Sequence, residues 1–124
     1  VVFEIQDTVV KMADYFKALG DVKRLMIIKI LVSHKENSFC VSDLADRLHI
    51  TQPAVSQHLK VLKSVGVVRA NKMGNKVFYM IDVDAFVEYG RTSQQLFNLA
   101  FARCDDAMVR GDMRCSRCEG GGNG

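Results

Sequence analysis

Thr51-Gln52-Pro53-Ala54-Val55-Ser56-Gln57-His58-Leu59-Lys60-Val61-Leu62-Lys63-Ser64-Val65-Gly66 is the stretch on which the reading of this chain turns. Thr51 is a good helix cap, and Pro53 falls in the first turn, where a missing N–H costs little. Val55, Leu59 and Leu62 recur at helical spacing and predict one buried face. Gly66 predicts a left-handed stop. The opposite face then carries Gln52, Ser56 and Gln57 near the helix start, with Lys60 and Lys63 farther along.

Working outward, Ser42 is expected to cap a short helix bearing Leu44, Ala45 and Leu48, closed by His49 and Ile50. Leu44 and Leu48 against Val55 and Leu59 predict two short helices locked across a tight turn. Downstream, Val67 to Lys72 and Lys76 to Ile81 read as two β-branched, aromatic-rich strands joined through Met73-Gly74-Asn75. Upstream, Val9, Met12, Ala13, Phe16 and Leu19 predict a first helix from about Asp7 to Leu19, stopped by Gly20. Asp21 is expected to cap a second helix to about Ser33. Its apolar residues (Val22, Leu25, Met26, Ile28, Leu31 and Val32) lie nearly all round, which predicts the buried centre of the domain. His34 to Ser38 reads as a turn. Asp82 or Asp84 is expected to cap a last helix from about Ala85 to Arg110. The organisation predicted is one domain, 1–110, and a flexible Cys/Gly-rich tail, 111–124. The fold class is mainly α with a small β-hairpin, a winged helix-turn-helix in the order α-α-α-α-β-β-α.

Charge supports a polyanion partner. The net charge is only +3 over 124 residues. Between Thr51 and Ile81, however, Lys60, Lys63, Arg69, Lys72 and Lys76 meet no acidic residue, so this block is strongly basic inside a mildly acidic remainder. Each phosphate neutralised by such a block releases counterions. A solvated basic surface without a partner is the plain alternative, as ordinary helix surface is for Gln52, Ser56 and Gln57. An amide such as Gln52 or Gln57 presents a donor and an acceptor together to an adenine edge, and the Thr51 and Ser56 hydroxyls suit base or phosphate. Lys60 and Lys63 suit the phosphate backbone, and Lys72, Asn75 and Lys76 are placed to reach a flanking phosphate or the minor groove. His58 is open between touching phosphate and packing at the turn.

The stripe Phe86, Tyr89, Ser93, Leu96, Ala100, Phe101, Cys104 and Met108 on the last helix predicts a partner surface, packing on its own domain being the alternative. No apolar run reaches the about 20 residues of a membrane span. The N-terminus shows no secretory pattern, so a cytoplasmic chain with four reduced cysteines is expected. No phosphate-cradling glycine loop, Ser-His-Asp set or paired carboxylates are evident, and Cys115-x-x-Cys118 lacks the following helix of a thiol-disulfide catalyst; an enzyme is not expected. The strands also lack the aromatic pattern of single-strand RNA readers.

With Leu19-Gly20-Asp21-Val22-Lys23-Arg24-Leu25, Thr51 to Lys60 and the wing from Val67-Val68-Arg69 to Tyr79, the chain resembles the arsenic-repressor (ArsR/SmtB) family of winged-helix transcriptional repressors over about residues 7 to 108. The resemblance implies a homodimer formed by the first and last helices, reading an inverted-repeat operator in double-stranded DNA and released by an effector. Family members often sense metals, and here the sequence departs from both usual sites. Asp84 is followed two positions on by Phe86, and no histidine follows His58, so the zinc site of the last helix is absent. Cys40-Val41-Ser42 keeps only the first thiol of the soft-metal site. Cys104, Cys115 and Cys118 remain, with Cys40 as a possible addition. Arg114 and Arg117 beside the tail thiols favour thiolate. Three thiolates suit As(III) or Sb(III), and a fourth donor suits a Zn, Cd or Pb ion. Cys104 taken alone reads as a small core residue at the interface rather than as a ligand. Oxidation of the tail thiols to a disulfide is the alternative effector chemistry.

Overall fold

A computed structural model of the chain describes residues 2–34 and 38–109, with side chains at 6–34 and 38–102. The element order is α1 (Val2–Leu19), α2 (Val22–Ser33), α3 (Val41–Leu48), α4 (Gln52–Ser64), β1 (Val68–Met73), β2 (Lys76–Ile81) and α5 (Val83–Val109). This is the architecture expected. The chain divides within α5 into two compact units, Val1–Tyr89 and Gly90–Gly124. The predicted tail, 111–124, lies outside the described residues.

The first unit is organised around one apolar cluster. Ile27 and Leu31 of α2, Leu44 of α3, and Val55, Leu59 and Leu62 of α4 are almost wholly removed from water, together with Val67 and Val68 at the base of the hairpin. α1 adds Tyr15 and Ala18. Tyr15 stacks on Tyr89 at 4.3 Å between ring centroids. The Tyr89 hydroxyl in turn donates to the Val65 carbonyl at 3.0 Å, tying the start of α5 to the end of α4.

Local chemistry explains the helix ends. The Asp21 carboxylate accepts from the Lys23 and Arg24 amides at 2.9 and 3.1 Å, and Thr51 Oγ1 accepts from Ala54 N at 3.3 Å. His49 closes α3 in the left-handed region at φ 56°, and Gly66 follows α4 at φ 79°. Asp82 rather than Asp84 caps α5, its Oδ1 accepting from Ala85 N at 3.1 Å. The cap of α3 is Cys40, not Ser42: Cys40 N donates to Asp43 Oδ2 at 3.2 Å, so α3 begins at Val41.

β1 and β2 pair antiparallel from Val68↔Ile81 to Met73↔Lys76, and Gly74 takes the positive φ (64°) that a two-residue hairpin turn demands at its first position. β1 thus starts one residue later than the sequence suggests. Phe39 pairs with Tyr79 on the free edge of β2, through hydrogen bonds of 3.1 and 2.8 Å. The Phe39 ring is buried under the Arg47 guanidinium, 4.9 Å from its centroid, so the wing is anchored to α3 at this point.

Two further expectations need correcting. α1 starts at Val2 rather than near Asp7. α2 is not buried all round: Ile27, Ile28 and Leu31 are covered, while Val22 (68%), Leu25 (50%) and Met26 (43%) face outward. Among the described residues only one side of α2 meets other elements, so apolarity on the other side finds nothing there to pack on. Among the described residues no helix is long and apolar enough to cross a membrane.

Candidate nucleic-acid interface

α4 is held from below and open from above. Val55, Leu59 and Leu62 anchor it, and Leu44 and Leu48 of α3 are buried in the same cluster. Thr51, Gln52, Ser56, Gln57, Lys60 and Lys63 are all exposed. At about 100° per residue, the five of these within α4 fall on an arc of about 140° that begins about 20° beyond Leu59, beside the buried stripe. Lys72 on β1, Asn75 in the turn and Lys76 on β2 are exposed on the wing. Among the described residues, Lys60, Lys63, Lys72 and Lys76 form no ion pair. The charges of Lys60, Lys63 and Lys72 are left available to an outside partner, while that of Lys76 also helps hold the Asp43 carboxyl low. Arg69, by contrast, lies 3.8 Å from the Asp82 carboxylate and is partly committed within the fold.

His58 stands apart from this arc. Its side chain is 20% exposed and turned toward the α1–α2 connection, with Nδ1 3.5 Å from Arg24 Nη1 and 4.0 Å from Asp21 Oδ1. Arg24 also donates from Nε to the Ala18 carbonyl and from Nη2 to the Lys17 carbonyl at 3.3 Å. These are the last carbonyls of α1, which the helix cannot satisfy itself. Asp21 is held below the usual carboxylate range, chiefly by the Arg24 amide it accepts, with further help from the Lys23 amide and the nearby His58 and Arg24 charges. No local pattern announces this cluster, because its members are 34 residues apart.

Of the thiols, only Cys40 has a described side chain. Its Sγ donates to Asp43 Oδ2 at 3.1 Å and lies 3.0 Å from Ser42 Oγ. That thiol hydrogen bond is the main reason the Asp43 carboxyl is held low. One thiol and one carboxylate fall short of the three or four donors a soft ion requires. Among the described residues no three His, Cys, Asp or Glu side chains gather as a metal-binding group. The side chains of Cys104, Cys115 and Cys118 lie outside the described residues.

A buried helix pair with an outward polar arc, flanked by a lysine-bearing hairpin, defines a winged helix-turn-helix DNA-binding regulator. The family described as "Bacterial regulatory protein, arsR family" matches residues 21–70. An HTH-type transcriptional regulator of Methanocaldococcus jannaschii is 45% identical over 78 residues, covering 63% of this chain and 85% of that one. The HTH-type transcriptional repressor SmtB of Mycobacterium tuberculosis is 46% identical over 68 residues, 52% of this chain and 50% of SmtB. The chain therefore spans only half the length of that relative. The solved structure of an ArsR-like transcriptional regulator from Rhodococcus superposes with a TM-score of 0.67 at 25% identity, covering 87% of this chain and 97% of that one. The chain belongs to the ArsR family of transcriptional regulators, and it is not an enzyme.

Proposed function

We propose that the chain acts as a homodimeric repressor that reads an inverted-repeat operator in double-stranded DNA and is released from it by an effector. The observation that carries this reading is the exposed arc of α4, held by a buried stripe and flanked by lysines with no ion pair. In this reading Gln52, Ser56 and Gln57 meet base edges in the major groove. Thr51, Lys60 and Lys63 hold phosphates, and Lys72, Asn75 and Lys76 reach the flanking backbone or minor groove. The dimer is supported by apolar side chains left in water: Val9, Val10 and Phe16 on α1 and, within the second unit, Leu96, Phe97, Leu99 and Phe101 on α5. A gel shift across a salt series, with operator and scrambled duplex, tests the reading. At least about a thousandfold preference for the operator is expected, and equal binding to both overturns it.

The effector proposed is a soft metal or metalloid, either As(III)/Sb(III) or a Zn, Cd or Pb ion, bound by Cys104, Cys115 and Cys118. Arg114 and Arg117 next to the tail thiols favour the thiolate that such ions require. A coupling of about 1–3 kcal/mol between effector and DNA is sufficient. Replacing Cys115 and Cys118 together by Ser is expected to leave DNA binding intact and abolish release by arsenite or cadmium. Unchanged release in that double variant contradicts the assignment. Release by an oxidant, with loss of free thiols and no response to arsenite, assigns the redox switch instead.

A further inference from the structure

We infer that His58 sets the rotational position of α4 by plugging into a polar socket formed by Arg24 and Asp21, and that it acts on base recognition through this contact rather than by touching DNA. The inference rests on the DNA-binding reading above.

The apolar stripe alone cannot set the roll of α4. Val55, Leu59 and Leu62 hold α4 on the core, but apolar burial is non-directional. A roll of α4 by about 20° changes that burial little, yet it carries side chains about 5–6 Å from the helix axis through about 2 Å. Hydrogen bonds to base edges do not survive such a shift, since the heavy-atom distance they tolerate spans only about 0.5 Å. The Tyr89 hydroxyl fixes α4 only beyond its C-terminal end, at the Val65 carbonyl; at the middle of the helix a directional contact is needed to set the roll, and His58 is placed to make it. By its position in the sequence it sits on the flank of α4, between the buried stripe and the exposed arc.

The socket is itself immobilised. Arg24 is fixed on the Lys17 and Ala18 carbonyls at the end of α1, and Asp21 is fixed on the Lys23 and Arg24 amides at the start of α2. A guanidinium only donates, so the 3.5 Å contact to Arg24 has Nδ1 of the neutral His58 ring accepting; the 4.0 Å approach to Asp21 is an ion pair only when the ring is protonated. The ring thereby aligns the recognition helix with backbone atoms of two other helices. Neither Gln57 nor Ser56 can do this, because both face outward.

The test uses the full chain and a duplex selected by the wild-type protein from a random-sequence pool, beside a scrambled version of that duplex. If the wild type selects no sequence over the scrambled one, it is the DNA-binding reading that fails. Given selection, His58→Leu keeps side-chain bulk and removes the acceptor, while His58→Asn puts a carbonyl oxygen near the Nδ1 position. The expected result for His58→Leu is a loss of about tenfold in affinity for the selected duplex, with scrambled-duplex binding and salt slope unchanged. His58→Asn is expected to remain within about threefold of wild type. Binding of the scrambled duplex also reports that each variant is folded. Should the leucine variant melt below the assay temperature, His58→Ala takes its place with the same expectations. The inference is overturned if the acceptor-free variant matches wild type, or if His58→Asn loses as much as it does. It is equally overturned if affinity falls alike on both duplexes with a salt slope smaller by about one, the mark of a phosphate contact.

Discussion

Helices α4 and α5 both combine apolar and polar residues, but they complete themselves differently. In α4 the large apolar side chains Val55, Leu59 and Leu62 are taken up by the chain's own core with Val61 packed partly against it, and what remains outside is chiefly amide, hydroxyl and ammonium. In α5 the first turns are absorbed in the same way through Phe86 and Tyr89, both partly buried. Beyond Gly90, Leu96, Phe97, Leu99 and Phe101 are each more than half exposed. Water is a good solvent for the outward face of α4 and a poor one for that of α5. The first is suited to a charged, hydrated partner such as a phosphate backbone, the second to another apolar surface, which a second copy of the chain supplies at no cost in new sequence.

Paired substitutions break or sharpen this contrast. The largest effect is expected from Leu59→Ala, which empties a site only 1% exposed. It should lower stability by about 2–5 kcal/mol in urea denaturation. Leu99→Ala, at a residue 68% exposed, should leave the fold of a single chain within about 0.5 kcal/mol and instead weaken dimerisation in sedimentation equilibrium. Equal losses of fold stability at the two positions contradict the contrast.

A smaller split is expected within α4. Gln57→Ala should cost about 1–3 kcal/mol on the operator and little on scrambled DNA, relaxing sequence preference. Lys63→Ala should weaken binding to both alike and reduce the salt slope by about one. Fluorescence anisotropy over a salt series separates the two.

The smallest effect lies in acid. Asp21 and Asp43 are held below the ordinary carboxylate value of about 3.9 by hydrogen bonds made only in the folded chain. Their contribution is therefore present above that value and lost as pH falls through the lower folded one. Asp43→Asn should flatten the acid limb of stability below about pH 4 while leaving the neutral range nearly unchanged. A flattening near pH 6 contradicts the assignment.

The sequence made the α3–α4 pair legible because the apolar steps Leu44, Leu48, Val55, Leu59 and Leu62 are all buried and Thr51 caps α4 as its chemistry suggests. It was less informative for α2, since apolarity says what Val22, Leu25 and Met26 favour, not whether any element covers them. Cys40 is not legible as a cap because a thiol ranks low in that role; Asp43 completes the arrangement from three residues on. The sequence does not place His58 because its ring is positioned by Asp21 and Arg24, far away in the chain. Phe39 as an anchor for the wing has the same origin: a backbone pairing with Tyr79, invisible to local pattern.

The central claim is that the outward arc of α4 and the wing meet DNA together. Side-chain amide signals in an NMR titration with operator duplex test it most directly. Those of Gln52, Gln57 and Asn75 are expected to shift on binding while those of Gln94, Gln95 and Asn98 on α5 stay in place. The opposite pattern, with the α5 amides moving and the α4 and wing amides still, contradicts it.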